Sequence, residues 1–214
     1  MITAYVFGNA PPPVRNVTRD LRVLWTLEES GLPYRLHPLD FAKGELTSPD
    51  YMRVHPFGLI PAIDDDGFRL FESAAIVLYL AEKAGKLLPE TAQGRARAAQ
   101  WAFAAVNTVE PGMAELFSID HFAADQSWAV ERRPELVERN ERRIAALDRE
   151  LATRPYVLGR EFGAPDIVLA TVLRLVGHTD LLHAAPHVAA YRERCEARPA
   201  WKRVLAEHQQ RLAA

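Results

Sequence analysis

The sequence predicts an α/β N-terminal half followed by an all-α C-terminal half, and three observations support this fold class. Strand-like and helix-like segments alternate from Ile2 to about Ala84. The next stretch, Lys86 to Gly94, is polar, contains proline and glycine, and lacks periodicity, which is typical of a linker. Every later segment repeats apolar residues at helical spacing. We therefore expect domains at residues 1–84 and 96–214, joined by a linker at 85–95.

In the N-terminal half, β-branched and aromatic runs predict strands, and apolar residues at helical spacing predict helices. The strands are expected at residues 2–7, 34–39, 61–64 and 68–71, and the helices at 20–30 and 74–83. Gly31 and Gly85 are placed to end the two helices, and Ser73 to cap the second one. Asp65-Asp66-Gly67 supplies a hairpin turn. The order β-α-β followed by β-β-α is that of a thioredoxin-like domain.

The C-terminal half is predicted to be a helical bundle. Its helices are expected at residues 96–117, 136–151, 166–176, 188–197 and 201–212. The segment from Asp166 to Val176 is apolar nearly all round, which indicates a helix buried at the centre of the bundle.

Composition narrows the function classes. The chain has 214 residues, a net charge of -2 and 49% hydrophobic residues, so nothing in its charge favours nucleic acid or an anionic membrane. Its single cysteine, Cys195, excludes a disulfide framework and a multi-cysteine metal site, and fits a reducing compartment. The short apolar start leads into prolines and is not typical of a signal peptide. No apolar run reaches the roughly 18 residues of a membrane span. We expect a cytoplasmic protein without a metal.

Two local motifs suggest a peptide-like ligand. Pro61 forces Ile60 into an extended conformation before a strand, where the backbone N–H and C=O of Ile60 can pair with a ligand's backbone. Glu72-Ser73 opens a helix, so its first N–H groups and the Ser73 hydroxyl can bind a carboxylate while Glu72 binds an amino group. A γ-glutamyl group carries both charges. Taken singly, an edge proline and a helix cap explain these motifs as well.

Together, the motifs resemble the bacterial cytosolic glutathione transferases in order and spacing. The matching segments are Leu21–Glu29, His55–Gly58, Ile60–Ala62, Phe71–Ile76 and, more weakly, Gly163–Ile167. The resemblance implies that Ile60, before a cis Pro61, pairs with the cysteinyl backbone of glutathione, and that Glu72 and Ser73 hold its γ-glutamyl group. It further implies a homodimer with a role in detoxification.

The resemblance also implies a sulfur partner at the start of the first helix. In serine-type relatives this group lies four residues before the arginine of that helix, and counting back from Arg22 gives Thr18. A threonine hydroxyl can donate a hydrogen bond to sulfur, and it can equally cap the helix. Asn16 is the alternative, because its amide can also donate from the same loop.

Three departures from the family pattern concern glutathione affinity. Position 59, where many relatives carry Lys or Gln to hold the glycine end of glutathione, is Leu59. Lys43, on the loop after the second strand, is a candidate replacement. His55 stands where Asn is common, and we assign it no catalytic role. The loop before the first helix contains Pro11-Pro12-Pro13, which can reposition the helix entry.

The resemblance places a small hydrophobic electrophile against the first long helix of the second half. The candidate residues recur at turn-like spacing, although core packing explains the same pattern: Phe103, Asn107, Glu110 and Phe117. The leading prediction is a glutathione S-transferase that joins the glutathione thiolate to such an electrophile. The alternatives are a glutathione-dependent peroxidase or disulfide reductase, and a non-catalytic interaction module with this fold.

Overall fold

The computed structural model describes residues 1–213, which form two compact units. The sheet unit comprises Met1–Leu88 and the segment from Arg198 onward, and the helical unit comprises Pro89–Ala197. The sequence boundaries had assigned all residues from 96 onward to the helical domain. The last helix instead packs with the sheet unit.

The sheet unit contains a four-stranded sheet in the order β2-β1-β3-β4. In chain order its first elements are β1 (Ile2–Phe7), α1 (Asp20–Ser30), β2 (Tyr34–Leu39), α2 (Pro49–Met52), β3 (Ala62–Asp65), β4 (Phe68–Phe71) and α3 (Ser73–Ala84). β1 and β2 run parallel, whereas β3 runs antiparallel to both β1 and β4. This order confirms the thioredoxin-like prediction. Gly31 and Gly85 end α1 and α3 in the left-handed conformation, as expected for glycine at these positions.

The helical unit contains α4 (Ala92–Phe103), α5 (Glu110–Phe122), α6 (Ser127–Leu151), α7 (Ala164–Leu173) and α8 (Pro186–Glu196). The predicted helix over 96–117 is a continuous helical run, but a π-helical segment, Ala104–Val109, separates α4 from α5. Every residue of α7 is buried, which confirms the central buried helix. Within the described residues, no helix is long and apolar enough to span a bilayer.

Asp166 holds the start of α7 together. Its carboxylate accepts hydrogen bonds from the backbone N–H of Gly163 at 2.8 Å and of Val157 at 3.0 Å, and from the Tyr191 hydroxyl at 2.9 Å. The bond from Gly163, the N-cap residue of α7, satisfies an N–H group that a helix terminus otherwise leaves without a partner, and the other two bonds connect Val157 and Tyr191 to the helix start. Asp166 is therefore structural.

The C-terminal helix α9 (Pro199–Ala213) packs on α1 in the sheet unit. The indole rings of Trp25 and Trp201 lie 4.6 Å apart, both fully buried, and Arg198 forms a bidentate ion pair with Glu29 at 2.6 and 2.8 Å. α1 also packs on α3. Its apolar residues are consequently covered on more than one face, and α9 reaches the amino end of α1.

Candidate functional site

The antiparallel register brings Ile60 and Ser73 to the same end of the β3–β4 hairpin. Ala62 pairs with Phe71 at the last position of the register, so Ile60, two residues before Ala62, and Ser73, two residues after Phe71, both lie just beyond this end of the hairpin. β1 and β2 run parallel to β4 and end on this side of the sheet as well. We call this side the carboxyl edge, defined by Phe7, Leu39, Ala62 and Phe71. The two motifs predicted from sequence therefore meet at one place.

Ile60 presents an unpaired piece of backbone at the carboxyl edge. The Ile60–Pro61 peptide bond is cis, as the resemblance had implied. The Ile60 side chain is buried in an apolar cluster with Leu39 and Tyr51, and the Tyr51 hydroxyl donates to the Leu59 carbonyl oxygen at 2.6 Å. Among the described residues, neither the N–H nor the C=O of Ile60 has a hydrogen-bond partner. The side chain anchors the segment, and the backbone remains available to a ligand.

Glu72 has a strained backbone and an exposed side chain. It occupies the N-cap position of α3 with φ 71° and ψ 108°, a region that residues with a Cβ rarely adopt. Its side chain caps nothing. Strain of this kind costs about 1–3 kcal/mol and concentrates at binding sites. The strain is consistent with a functional carboxylate at this position.

Ser73 does not cap α3 as predicted; it is the first residue of the helix, and Glu72 takes the cap position. The buried Ser73 hydroxyl instead accepts a hydrogen bond from the guanidinium of Arg22 at 3.0 Å. The cap prediction was wrong because it considered only local sequence, whereas the partner lies on α1. No described residue accepts the hydroxyl's own proton, so Ser73 retains a donor beside a buried cation.

Thr18 and Asn16 precede α1, whose start lies at the carboxyl edge because the backbone N–H of Phe7 donates to Asp20 at 3.1 Å. The Thr18 hydroxyl is buried 3.0 Å from Nε2 of His208 on α9 and does not cap the helix. Asn16 is exposed, and its carbonyl accepts from the Gln209 amide at 2.7 Å.

Sequence reasoning missed the contribution of α9 to this part of the molecule. Nothing in the pattern of that helix linked it to α1. The predicted boundaries place His208 and Arg211 in the helical domain, and only the folded chain brings them beside Thr18 and Asp20.

The family models for the N-terminal and C-terminal domains of glutathione S-transferases match residues 21–83 and 122–199. The disulfide-bond oxidoreductase YfcG of Escherichia coli (strain K12) is 35% identical, over 86% of this chain and 88% of its own. The chain belongs to the glutathione transferase family. Glutathione S-transferase F9 of Arabidopsis thaliana is 28% identical over 87% of this chain and 92% of its own.

A crystal structure of a Burkholderia graminis glutathione transferase, described as holding two glutathione molecules per subunit, superimposes with a TM-score of 0.85. It is 30% identical, and the alignment covers 95% of this chain and 87% of that one. The predicted family, fold class and enzyme class are thus confirmed. The N-terminal match begins at residue 21, so it includes Ile60, Glu72 and Ser73 but not Thr18 or Asn16.

The transferase holds the loop after β2 in place through Asp40. The Asp40 carboxylate accepts from the Asn9 amide at 2.6 Å and pairs with the exposed Lys43 ammonium at 3.2 Å. The Leu59 side chain is half exposed. A shallow cavity of about 230 Å³ lies beside this loop, lined by Asn9, Ala10, Pro11, Phe41 and Ala42. Lys43 is therefore on the loop predicted for it, but it is paired with Asp40.

The four candidates for the second-substrate pocket do not share one face of the transferase's helical run. Phe103 is 63% exposed and Asn107 is exposed, whereas Glu110 and Phe117 are buried. The Phe117 ring stacks on His121 with centroids 4.1 Å apart. The π-helical segment adds residues to one turn and so changes the phase between α4 and α5. The sequence prediction assumed regular α-helical spacing and so could not include this change of phase.

His55 has a structural role, consistent with the absence of a catalytic assignment. Its buried Nδ1 accepts from the backbone N–H of Phe57 at 3.3 Å, and its ring lies 4.9 Å from that of Phe71. Burial lowers the pKa of His55, with the nearby Glu72 opposing the shift.

Within residues 1–213, no group of three or more His, Cys, Asp or Glu side chains is arranged to hold a metal.

The lowered pKa of His55 predicts a loss of stability in mild acid. An unfolded histidine titrates near pH 6.5, so below that pH the unfolded chain binds the proton more readily, and stability falls toward the folded-state pKa. His55→Asn keeps an acceptor for the Phe57 N–H but removes the titration. We expect its melting temperature to fall less between pH 7 and pH 5 than that of the wild type. An identical pH dependence in both proteins would contradict this assignment.

Proposed function

We propose that the protein binds glutathione at the carboxyl edge and transfers its sulfur to a small hydrophobic electrophile. One observation carries the binding proposal: the unpaired backbone of Ile60 lies at the same end of the β3–β4 hairpin as Ser73 and the exposed Glu72. Glutathione offers the complementary groups, a peptide backbone in its middle and an amino acid zwitterion at its γ-glutamyl end.

Ile60, Ser73 and Glu72 are each proposed to bind a different part of glutathione. The N–H and C=O of Ile60 bind the cysteinyl backbone of glutathione as an added strand would be bound. The Ser73 hydroxyl and the first N–H groups of α3 bind the γ-glutamyl carboxylate, with the buried Arg22 guanidinium behind them. Glu72 binds the α-amino group. Lys43 and the half-exposed Leu59 leave the glycine end less firmly held.

Thr18 is the proposed partner of the glutathione sulfur. A free thiol has a pKa near 8.5 and is only a few per cent thiolate at pH 7. Lowering that pKa by about 2 units requires roughly 2.7 kcal/mol of preference for the anion. One hydrogen bond to a charged group contributes about 1.5–3 kcal/mol, and the start of a helix adds about 0.3–1 kcal/mol. A hydroxyl at the start of α1 is therefore sufficient.

A second candidate function is reduction of disulfides or peroxides with glutathione. It is favoured by the similarity to the Escherichia coli relative, a disulfide-bond oxidoreductase, and by the two glutathione molecules in the Burkholderia graminis structure. The only cysteine, Cys195, is buried on α8, so such a reaction would draw both of its thiols from glutathione. The third candidate is a non-catalytic interaction module.

Binding and parallel activity assays separate these functions. Retention on immobilised glutathione and a rise in melting temperature with glutathione are expected for either enzyme. Failure of both contradicts the two enzyme functions together and leaves the interaction module. If the protein binds, rates with an aryl halide, an organic hydroperoxide and a small disulfide are compared. A measurable rate with the aryl halide supports transfer, and activity confined to the other two substrates supports the reductase or peroxidase.

The proposal extends to the location and assembly of the protein and to its second-substrate pocket. We propose a cytoplasmic homodimer that serves in detoxification, with Phe103 and Asn107 as the exposed residues of the second-substrate wall. The buried Glu110 and Phe117 would support that wall from behind. Sedimentation measures the assembly directly, and a monomer at working concentration would contradict the homodimer.

Glu72→Gly is expected to stabilise the free protein and weaken glutathione binding. Glycine adopts φ near 70° without a steric cost, so the strain is removed, partly offset by chain entropy, with a net gain of about 1 kcal/mol. Loss of the carboxylate removes an ionic hydrogen bond, which corresponds to an affinity about 10- to 100-fold lower. Thermal melting and calorimetry measure the two effects.

The matched control is Glu72→Gln, which retains the strained backbone and removes only the charge. We expect its affinity for glutathione to fall while its melting temperature stays close to that of the wild type. If Glu72→Gly were no more stable than Glu72→Gln, the backbone at position 72 would not be a source of strain.

A further inference from the structure

A histidine from the C-terminal helix lies against Thr18. His208 is completely buried, with Nε2 3.0 Å from the Thr18 hydroxyl oxygen and Nδ1 2.7 Å from the Arg211 guanidinium. The fold thus places an imidazole directly behind the hydroxyl that we propose as the sulfur partner.

The contact with Arg211 determines which ring nitrogen carries the proton. A guanidinium only donates hydrogen bonds, so Nδ1 of His208 must accept and is unprotonated. In a neutral imidazole the proton then resides on Nε2, which faces Thr18. The Thr18 oxygen therefore accepts from His208. Among the described residues, no acceptor takes the hydroxyl's own proton.

The groups around His208 favour the neutral ring. Burial lowers its pKa and Arg211 lowers it further, whereas the Asp20 carboxylate and the Arg15 backbone carbonyl oppose the shift. Asp20 lies 3.9 Å from Nδ1 of His208 and 3.6 Å from the Arg211 guanidinium. Asp20 thus balances the charge of Arg211, and the imidazole in contact with Arg211 can remain an uncharged donor to Thr18.

We infer that His208 is a positioning residue for the reaction: its Nε2–H donates to the Thr18 oxygen and thereby directs the threonine proton toward the glutathione sulfur. This inference rests on the proposed function, in which Thr18 is the sulfur partner. It adds a role for α9, which carries no residue that we place in contact with glutathione. A hydroxyl that also accepts a hydrogen bond is a stronger donor, so the arrangement favours the thiolate.

Two substitutions distinguish the role of Nε2 of His208 from that of Nδ1. His208→Gln places an amide N–H near the position of Nε2, and His208→Asn retains only an acceptor near Nδ1. The readout is the pKa of enzyme-bound glutathione, from the ultraviolet absorbance of its thiolate as a function of pH. We expect His208→Asn to raise this thiol pKa and to slow conjugation at pH 6.5 about three- to tenfold, the scale of one hydrogen bond. His208→Gln is expected to match the wild type.

Equal thiol pKa values in the two variants would overturn the inference, since a merely structural histidine changes the melting temperature but not this difference. If neither variant folds, the ¹⁵N shifts of the His208 ring in the wild type decide the question: protonated Nε2 supports the inference and protonated Nδ1 overturns it. A wild type that binds glutathione without lowering its thiol pKa contradicts the proposed function itself, and the inference falls with it.

Discussion

Thr18→Val should slow glutathione conjugation at least about tenfold, while the protein should still bind the rest of the glutathione molecule. The substitution keeps the shape of the side chain but removes the hydroxyl that we propose as the partner of the thiolate. Loss of one donor to a developing or bound anion costs about 10²–10³ in turnover where that donor is fully engaged. The measurements are kcat/KM with an aryl halide and the pKa of bound glutathione, which should return toward that of the free thiol.

S-Methylglutathione, which has no ionisable thiol, should bind Thr18→Val as well as it binds the wild type. Thr18→Ser is the matched control, because it retains the hydroxyl and should keep most of the rate. Thr18→Val also leaves the buried Nε2–H of His208 without its acceptor, so a loss of about 1–3 kcal/mol in unfolding free energy is expected.

An unchanged rate in Thr18→Val would transfer the role to Asn16 or to a backbone N–H. Asn16→Ala distinguishes these two outcomes. Asn16 is exposed and its carbonyl is bonded to Gln209, so the substitution is expected to change turnover little if Thr18 is the donor.

Asp20→Ala is expected to be the more disruptive change for the fold, with a loss of about 3–5 kcal/mol in unfolding free energy. The Asp20 carboxylate is completely buried, accepts from the Phe7 N–H at 3.1 Å and lies 3.6 Å from the Arg211 guanidinium. Removing it leaves a mostly buried cation and a backbone donor without their partner. For a chain of this size, each kcal/mol corresponds to about 2–4 °C, so the melting temperature should fall by roughly 10 °C.

Two further variants serve as controls for Asp20→Ala. Asp20→Asn keeps an acceptor for the Phe7 N–H and loses only the charge, so it should lie between Asp20→Ala and the wild type. Asp50→Ala removes an exposed carboxylate paired with Arg53, and such surface pairs contribute about 0–1 kcal/mol. A similar melting temperature for Asp20→Ala and Asp50→Ala would show that the buried carboxylate does not hold β1 and α9 to α1.

The architecture was largely predictable because its signals are local. Alternation and β-branching indicated the strands, apolar spacing indicated the helices, and Gly31 and Gly85 ended α1 and α3 where expected. The predicted first residues of the helices were less accurate. The sequence placed the beginning of α6 at Leu136, whereas it begins at Ser127 and continues through Pro134. The first residues of that helix carry a weaker apolar pattern, and a proline inside a helix removes one backbone hydrogen bond.

The residues of the proposed glutathione site could also be brought together from the sequence. Ile60-Pro61 and Glu72-Ser73 flank a single hairpin, so the antiparallel register alone brings them together. The exposure of Glu72 and its positive φ could not be predicted, because they depend on how the chain leaves β4 to enter α3.

The sequence by itself determined the thioredoxin-like order, the helical second half, the family and the residues of the hairpin end, since each depends on neighbours along the chain. The tertiary structure alone decided what supports that site. The Arg22–Ser73 bond joins positions 51 residues apart, and the Thr18–His208 bond joins positions 190 apart. The partner of a buried polar group is whichever group packing brings within about 3 Å, and no periodicity in the sequence encodes that distance.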